Sequence, residues 1–334
     1  MIISRTPYRV SFFGGGTDYP AWYREHGGSV LAAGIARYCY ITCRWLPPFF
    51  KHKSRVVYSV IEDIMDAHDI QHPAVRESLL HLGIHEGIEI HHDGDLPKMT
   101  GLGTSSSFTV GLLHALHALR GEFRSKMQLA TEAIHVERDL CGDRVGSQDQ
   151  VSAAFGGLNH ISFAPDDSIS VAPIPLPAAR MAQFQDSLLL FFTGFSRYSS
   201  EVVAEQLHNI PQKEKELSEM ASMVDQGIQI LAEGRDLADF GRLLHESWKI
   251  KRSLSSRVST PEIDAMYETA RKAGAGGGKI TGAGGGGFLL LYVDPEHQPA
   301  VRKALSSLLH VPFDLDHSGS QIIFSNPTPL ETAP

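Results

Sequence analysis

The stretch from Asp95 to Ser107, Asp-Leu-Pro-Lys-Met-Thr-Gly-Leu-Gly-Thr-Ser-Ser-Ser, constrains this chain more than any other, because it reads as a loop turning into the first turn of a helix. Pro97 ends the strand-like run Ile88-Glu-Ile-His-His, and Gly101 and Gly103, either side of Leu102, permit backbone angles that other residues avoid. Thr104, Ser105, Ser106 and Ser107 then fall where a helix has unpaired N–H groups. Beyond them Phe108, Gly111, Leu112, Ala115, Leu116 and Leu119 recur at helical spacing, and Gly121 lies just past the end. A glycine loop feeding a helix N-terminus is an anion site, since free N–H groups and the positive end of the dipole both favour phosphate.

Ser and Thr also cap ordinary helices, and Gly makes ordinary turns, so the stretch does not settle its role alone. Two phosphate loops are excluded. The Walker pattern fails at the Gly278-Lys279 pair, where Ala273 and Ile280 occupy the required Gly and Ser/Thr positions. The dinucleotide fingerprint would need Gly at Ser106. A hydroxyl-rich loop of this kind suits a Mg–nucleotide.

At 334 residues the chain exceeds what one core usually serves, so two domains are expected. A net charge of −8 argues against a general nucleic-acid or anionic-membrane binder, and requires any anionic substrate to be held by local cations or backbone N–H groups. The three cysteines, Cys39, Cys43 and Cys141, form no Cys-x-x-Cys, which points to a reducing cytosol. Without a long apolar run or a signal-peptide core, the expected location is the cytoplasm; the oligomeric state is left open.

The first third is rich in β-branched and aromatic runs: Met1 to Phe13, Ser29 to Ile35, Tyr38 to Trp45 and Arg55 to Val60 are expected strands. The first leads into Gly14-Gly15-Gly16-Thr17-Asp18, where glycine lets the backbone approach a ligand and a carboxylate suits sugar hydroxyls; a plain turn with Asp18 as a local cap is the alternative. Ile64 to Leu82 reads as helical segments interrupted at Pro73, and Ser125 to Leu140 as a helix with Glu137 bordering its apolar face, where it could hold Mg²⁺ near a nucleotide. Asp149 follows in Gly-Ser-Gln-Asp-Gln. Strands Leu158 to Phe163 and Ile169 to Leu176 close a first domain, 1–176, and Pro173, Pro175 and Pro177 read as the linker.

The second domain, 177–334, opens with a strand from Ser187 to Thr193 and continues through three helical stripes headed by Leu217, Leu237 and Ile263. The run from Gly274 to Gly287 is too glycine-rich for a regular element and reads as close backbone approach to a ligand or to the other domain. Helix Ala300 to Leu309 and strand Gln321 to Phe324 complete an α+β unit. The seventeen histidines lack zincin spacing, and no Gly-x-Ser-x-Gly elbow is present.

The loop Pro97-Lys-Met-Thr-Gly-Leu-Gly-Thr-Ser-Ser-Ser resembles the signature loop of the GHMP kinases, and Arg9-Val-Ser-Phe-Phe-Gly-Gly-Gly-Thr-Asp and Lys279-Ile-Thr-Gly-Ala-Gly-Gly-Gly-Gly-Phe resemble their first and third motifs, in the right order. The resemblance implies an α+β, two-domain fold: an N-terminal α/β domain with a left-handed βαβ crossover and a C-terminal ferredoxin-like domain, with the site in the cleft. It implies ATP and Mg²⁺ as cofactors, Pro97 and Gly101 to Ser107 as the triphosphate cradle, Ser105 and Glu137 as Mg²⁺ ligands, Asp149 as catalytic carboxylate, and Arg9 near the reacting hydroxyl. Thr104 and Ser106 stand where Ser and Ala are commoner in the family.

The expected reaction is transfer of the ATP γ-phosphoryl to a sugar hydroxyl. Galactokinases carry Glu-His at Gly15-Gly16; the form found here, with Gln148-Asp-Gln and Ser247-Trp-Lys-Ile-Lys-Arg-Ser-Leu, looks most like the D-glycero-D-manno-heptose 7-phosphate kinases, which act on the anomeric hydroxyl, and fucokinases share parts of it. Expected acceptor contacts are Gly15, Gly16, Thr17, Asp18, Gly282 and Gly284, with Arg197, Lys249 and Arg252 as cations for a substrate phosphate. Alternatives are a neutral-sugar 1-kinase such as L-fucokinase, or a non-catalytic sugar sensor on the same fold; Ser105, Glu137 and Asp149 together weigh against the sensor.

Overall fold

The computed structural model describes residues 1–98, 100–194 and 199–326. The opening apolar run is β1 (Ile2–Phe13), and beyond the glycine turn and α1 (Pro20–His26) the two runs expected as separate strands are one 18-residue strand, β2 (Gly28–Trp45). The polar break at Ala36-Arg37 is absorbed as a shift of register against β1, between Pro7 and Tyr8, not as a turn. A hairpin of β3 (Ser54–Val57) and β4 (Ile61–Ile64) follows. Pro73 begins α2 (Pro73–His81) rather than interrupting a helix, because proline's missing N–H is harmless in a first turn. The chain returns as β5 (Ile88–Gly94), parallel to β3.

Helices α3 (Thr104–Leu119), α4 (Lys126–Ile134), which runs on into a π-helical turn at His135–Leu140, and α5 (Gln148–Phe155) lead to β6 (Leu158–Phe163) and β7 (Ile169–Pro173). The long β2 serves two partners: its first half pairs with β6 and its second with β5.

The chain crosses to the second sheet through the proline-spaced segment and α6 (Ala178–Asp186). There follow β8 (Leu188–Phe192), α7 (Ser199–Asn209), α8 (Glu214–Ala232), α9 (Ala238–Ser253), α10 (Pro261–Lys272), β9 (Gly277–Ile280), β10 (Phe288–Tyr292), α11 (Gln298–Ala304) and β11 (Leu309–His310). The order β11-β8-β10-β9, all antiparallel, is the expected ferredoxin-like arrangement. One expectation is corrected: β12 (Gln321–Ser325) does not complete this sheet but pairs with β1 at the edge of the first, carrying the end of the chain back to its beginning.

Phe12 and Phe13 of β1 pack against Phe184 of α6 and Phe240 of α9, with ring centroids 4.9–5.5 Å apart, so the halves share one aromatic seam beneath the cleft. Among the described residues no helix is long and apolar enough to cross a membrane.

Candidate active site

Gly101 and Gly103 hold positive φ of 78° and 72°, which lets the chain turn sharply into α3. Gly103 is the N-cap, and among the described residues no side chain caps the helix, so its first N–H groups are available to an anion. The four hydroxyls divide. Ser107 Oγ donates to Pro7 O (2.8 Å) and Ser106 Oγ to Glu137 Oε2 (2.8 Å), whereas Thr104 is half-buried and Ser105 exposed on the first turn. Pro97 O accepts from Thr100 Oγ1 (2.9 Å), and Leu102, buried, gives its carbonyl to Arg9 N (3.0 Å), tying the loop to β1.

The glycine-rich third motif meets this loop from the other half. A Cβ on Gly282 would lie 2.5 Å from Gly101 Cα, one on Gly101 would strike Thr281 O, and one on Gly284 would lie 2.6 Å from Val258 O. Gly282 and Gly284, expected to touch the acceptor, are therefore glycine because backbone packs on backbone there.

At the mouth of the loop, Arg9 Nε and Nη2 donate to both oxygens of Asp149 at 2.7 and 2.6 Å, and Nη1 donates to Gly101 O at 2.7 Å. Arg9 is 4% exposed and Asp149 26%, so the pair presents its carboxylate to the cleft. Asp149 lies in the first turn of α5 but does not cap it: Ser147 is the N-cap.

Asp18 is buried beside this pair. Its carboxylate accepts from Gly16 N (3.0 Å) and Gln148 N (3.3 Å), and burial, then the Asp149 charge, push its pKa up. Thr17 is turned away from any acceptor: its Oγ1 donates to Gly14 O and Ser29 O and accepts from Ser29 N, fastening the turn to β2. Next to Gly16 lies a narrow, mainly apolar recess whose lining includes Tyr19, Lys213, Leu217 and Leu254.

Two lysines that the sequence reading missed lie inside. Lys251 Nζ donates to Ile280 O (3.2 Å) and to Gly282 O, and burial, followed by the Arg9 charge, lowers its pKa to about 7. Lys279 Nζ donates to Phe12 O (2.9 Å); burial, then Lys251, lowers its pKa well below the usual range. Lys249, the expected cation, is corrected: it is exposed on the outer face of α9 and paired with Glu246 at 2.8 Å. Arg252 likewise pairs with Asp264 at 2.9 Å. Arg197 lies outside the described residues. The signal for Lys251 was present, since it continues the buried stripe of Phe240, Leu244 and Trp248 three residues on, while Lys249 faces the other way.

Glu137, on the π-helical turn, is buried among neutral donors: Ser106 Oγ, Thr109 Oγ1 (3.2 Å) and Gln150 Nε2. Burial raises its pKa to about 7 against the pull of those donors. The hydroxyls that bond it directly are those of Ser106 and Thr109, while Ser105 is exposed on the first turn of α3. Among the described residues no cluster of three or more His, Cys, Asp or Glu side chains could hold a metal unaided. The donor set nevertheless fits Mg²⁺, which commonly takes one or two carboxylates and completes its shell with phosphate and water. Among the described residues this hard carboxylate has no cationic partner, and it sits beside hydroxyls at an anion-binding helix end.

The GHMP kinases N terminal domain model matches residues 59–157 and the GHMP kinases C terminal model residues 228–311. The D-glycero-alpha-D-manno-heptose 7-phosphate kinase of Campylobacter jejuni is 29% identical over 328 residues, covering 91% of this chain and 93% of that one. The bifunctional fucokinase/GDP-fucose pyrophosphorylase of Arabidopsis thaliana is 25% identical over 339 residues, 92% of this chain and 31% of that one. In three dimensions the D-glycero-D-manno-heptose 1-phosphate kinase of Bacteroides thetaiotaomicron superposes with a TM-score of 0.78 at 23% identity, covering 97% of this chain and all of that one. The chain belongs to the GHMP kinases, and the glycine-cradled helix end beside an arginine-held carboxylate is the candidate phosphotransfer site. Within that ATP-dependent family it is a sugar kinase, similar to the heptose phosphate kinases.

Proposed function

We propose that the protein transfers the γ-phosphoryl group of ATP to the anomeric C1 hydroxyl of D-glycero-alpha-D-manno-heptose 7-phosphate, giving the 1,7-bisphosphate for nucleotide-activated heptose synthesis. The observation that carries the mechanism is the Arg9–Asp149 pair beside the open N-terminus of α3. Similarity over nearly the full length of the Campylobacter kinase supports the acceptor.

Each carboxylate oxygen of Asp149 keeps a free lone pair after accepting from Arg9. The acceptor hydroxyl donates to one of them and passes its proton there as its oxygen bonds to the γ-phosphorus and the bond to the ADP oxygen breaks. Arg9 fixes the orientation of Asp149 and supplies positive charge against the transferring oxygens. Mg²⁺, held by Glu137 with a first-turn hydroxyl from Ser105 and by the nucleotide, would offset phosphate charge.

A second reading, a neutral-sugar 1-kinase such as L-fucokinase, is favoured by one observation: Lys249 and Arg252 are committed to outer-surface ion pairs. A coupled ADP-release assay comparing heptose 7-phosphate, mannose, fucose, galactose and mevalonate separates the two. Preference for a neutral sugar refutes the heptose-phosphate assignment, and the regiochemistry follows from the phosphorus–C1 coupling in the product.

A further inference from the structure

Ser11 Oγ and Gln148 Oε1 are buried and, among the described residues, neither finds a hydrogen-bond partner. Such atoms are costly to bury when nothing answers them. Their placement is not random. Ser11 lies two residues beyond Arg9 on β1, hence on the same face of the strand, and Gln148 immediately precedes Asp149 on α5. Each therefore adjoins one member of the Arg9–Asp149 pair, one on the strand and one on the helix.

Both side chains border Gly15. A Cβ built there would lie 3.6 Å from Ser11 Oγ and 3.7 Å from Gln148 Nε2, ordinary contact distances, and Gly15 has no positive φ. Neither sterics nor backbone conformation requires glycine at this position. Its missing side chain leaves space over two polar groups, and Asp18 borders the same space through Gly16 N. The Gln148 amide hydrogens face Asp18, which leaves its Oε1 as an acceptor. A hydroxyl that can donate or accept, beside an amide and a carboxylate, suits a ligand of hydroxyl groups.

We propose that Ser11 and Gln148, over the gap left by Gly15, are specificity-determining residues that bind ring hydroxyls of the sugar acceptor while its reacting hydroxyl lies at Asp149. The proposal rests on the sugar-kinase reading above. A site built to hydrogen-bond a substrate hydroxyl discriminates strongly against an analogue lacking it, because its buried groups are again left unpaired.

The test uses the full chain, with whichever of heptose 7-phosphate, fucose, mannose and galactose the wild type turns over fastest, and its monodeoxy derivatives. Ser11→Ala is expected to raise the acceptor KM by about tenfold or more, leave the ATP KM unchanged, and leave Tm the same or higher, since it deletes an unanswered group. For one deoxy derivative, wild type and variant should have equal kcat/KM. Gln148→Met should show the same selectivity loss for a neighbouring deoxy position. An unchanged acceptor KM in both variants, or a fall in Tm with no change in acceptor discrimination, overturns the proposal while leaving the kinase reading intact. A wild type that phosphorylates none of the sugars overturns that reading and the proposal with it.

Discussion

Replacing Asp149 with Asn separates chemistry from binding at this site. The substitution keeps the shape and one carbonyl acceptor for Arg9, but removes the charge and the basic oxygen that faces the cleft. Loss of a positioned general base is typically worth 10²–10⁴-fold, and the lower end corresponds to about 2.7 kcal/mol of transition-state stabilisation. Arg9 is 4% exposed and keeps its bond to Gly101 O, so the fold loses one arm of one ion pair, roughly 1–3 kcal/mol, reduced by the 26% exposure of Asp149. Turnover by coupled ADP release should fall by about 10²-fold or more, with Mg-ATP affinity by calorimetry within about twofold of wild type and Tm lowered by a few degrees. Near wild-type turnover in a folded variant refutes the role of Asp149. A large loss of stability with specific activity preserved would show that the Arg9–Asp149 pair is structural.

For the metal, Glu137→Gln and Ser105→Ala should each raise the Mg²⁺ concentration giving half-maximal rate, the first by more because it removes a ligand charge; an unchanged Mg²⁺ requirement in both places the ion elsewhere. For the buried lysines, burial lowers the Lys251 pKa to about 7 from its ordinary 10.5, and that of Lys279 in the same direction. Between those limits the unfolded chain binds a proton that the folded chain does not, so stability should rise with pH across this window. Lys251→Met should flatten that rise in urea unfolding between about pH 7 and about pH 10, leaving the share due to Lys279, and an unaltered slope would contradict the assignment.

What the sequence by itself determined is what local chemistry encodes. The loop at Gly101 and Gly103 and the helix behind it are legible because positive φ, free N–H groups and helical periodicity are properties of neighbouring residues. The two-domain α+β organisation and the GHMP kinase family are legible because three motifs fall in order along one chain. Tertiary structure alone decided which polar groups meet. Lys251 and Lys249 differ by two residues, yet one turns into the interior and the other to solvent, because each residue rotates a helix by about 100° and only packing against β9 says which face is inside. Ser106 rather than Ser105 reaches Glu137 for the same reason, as the π-helical turn after α4 sets where that carboxylate enters. The glycine-rich run could approach a ligand or the other domain in sequence, and in space Gly282 packs on Gly101 of the other half, while β12 leaves the domain it follows to pair with β1. These are long-range choices, settled by close packing and by the cost of leaving a buried charge or strand edge unanswered, and no local pattern carries them.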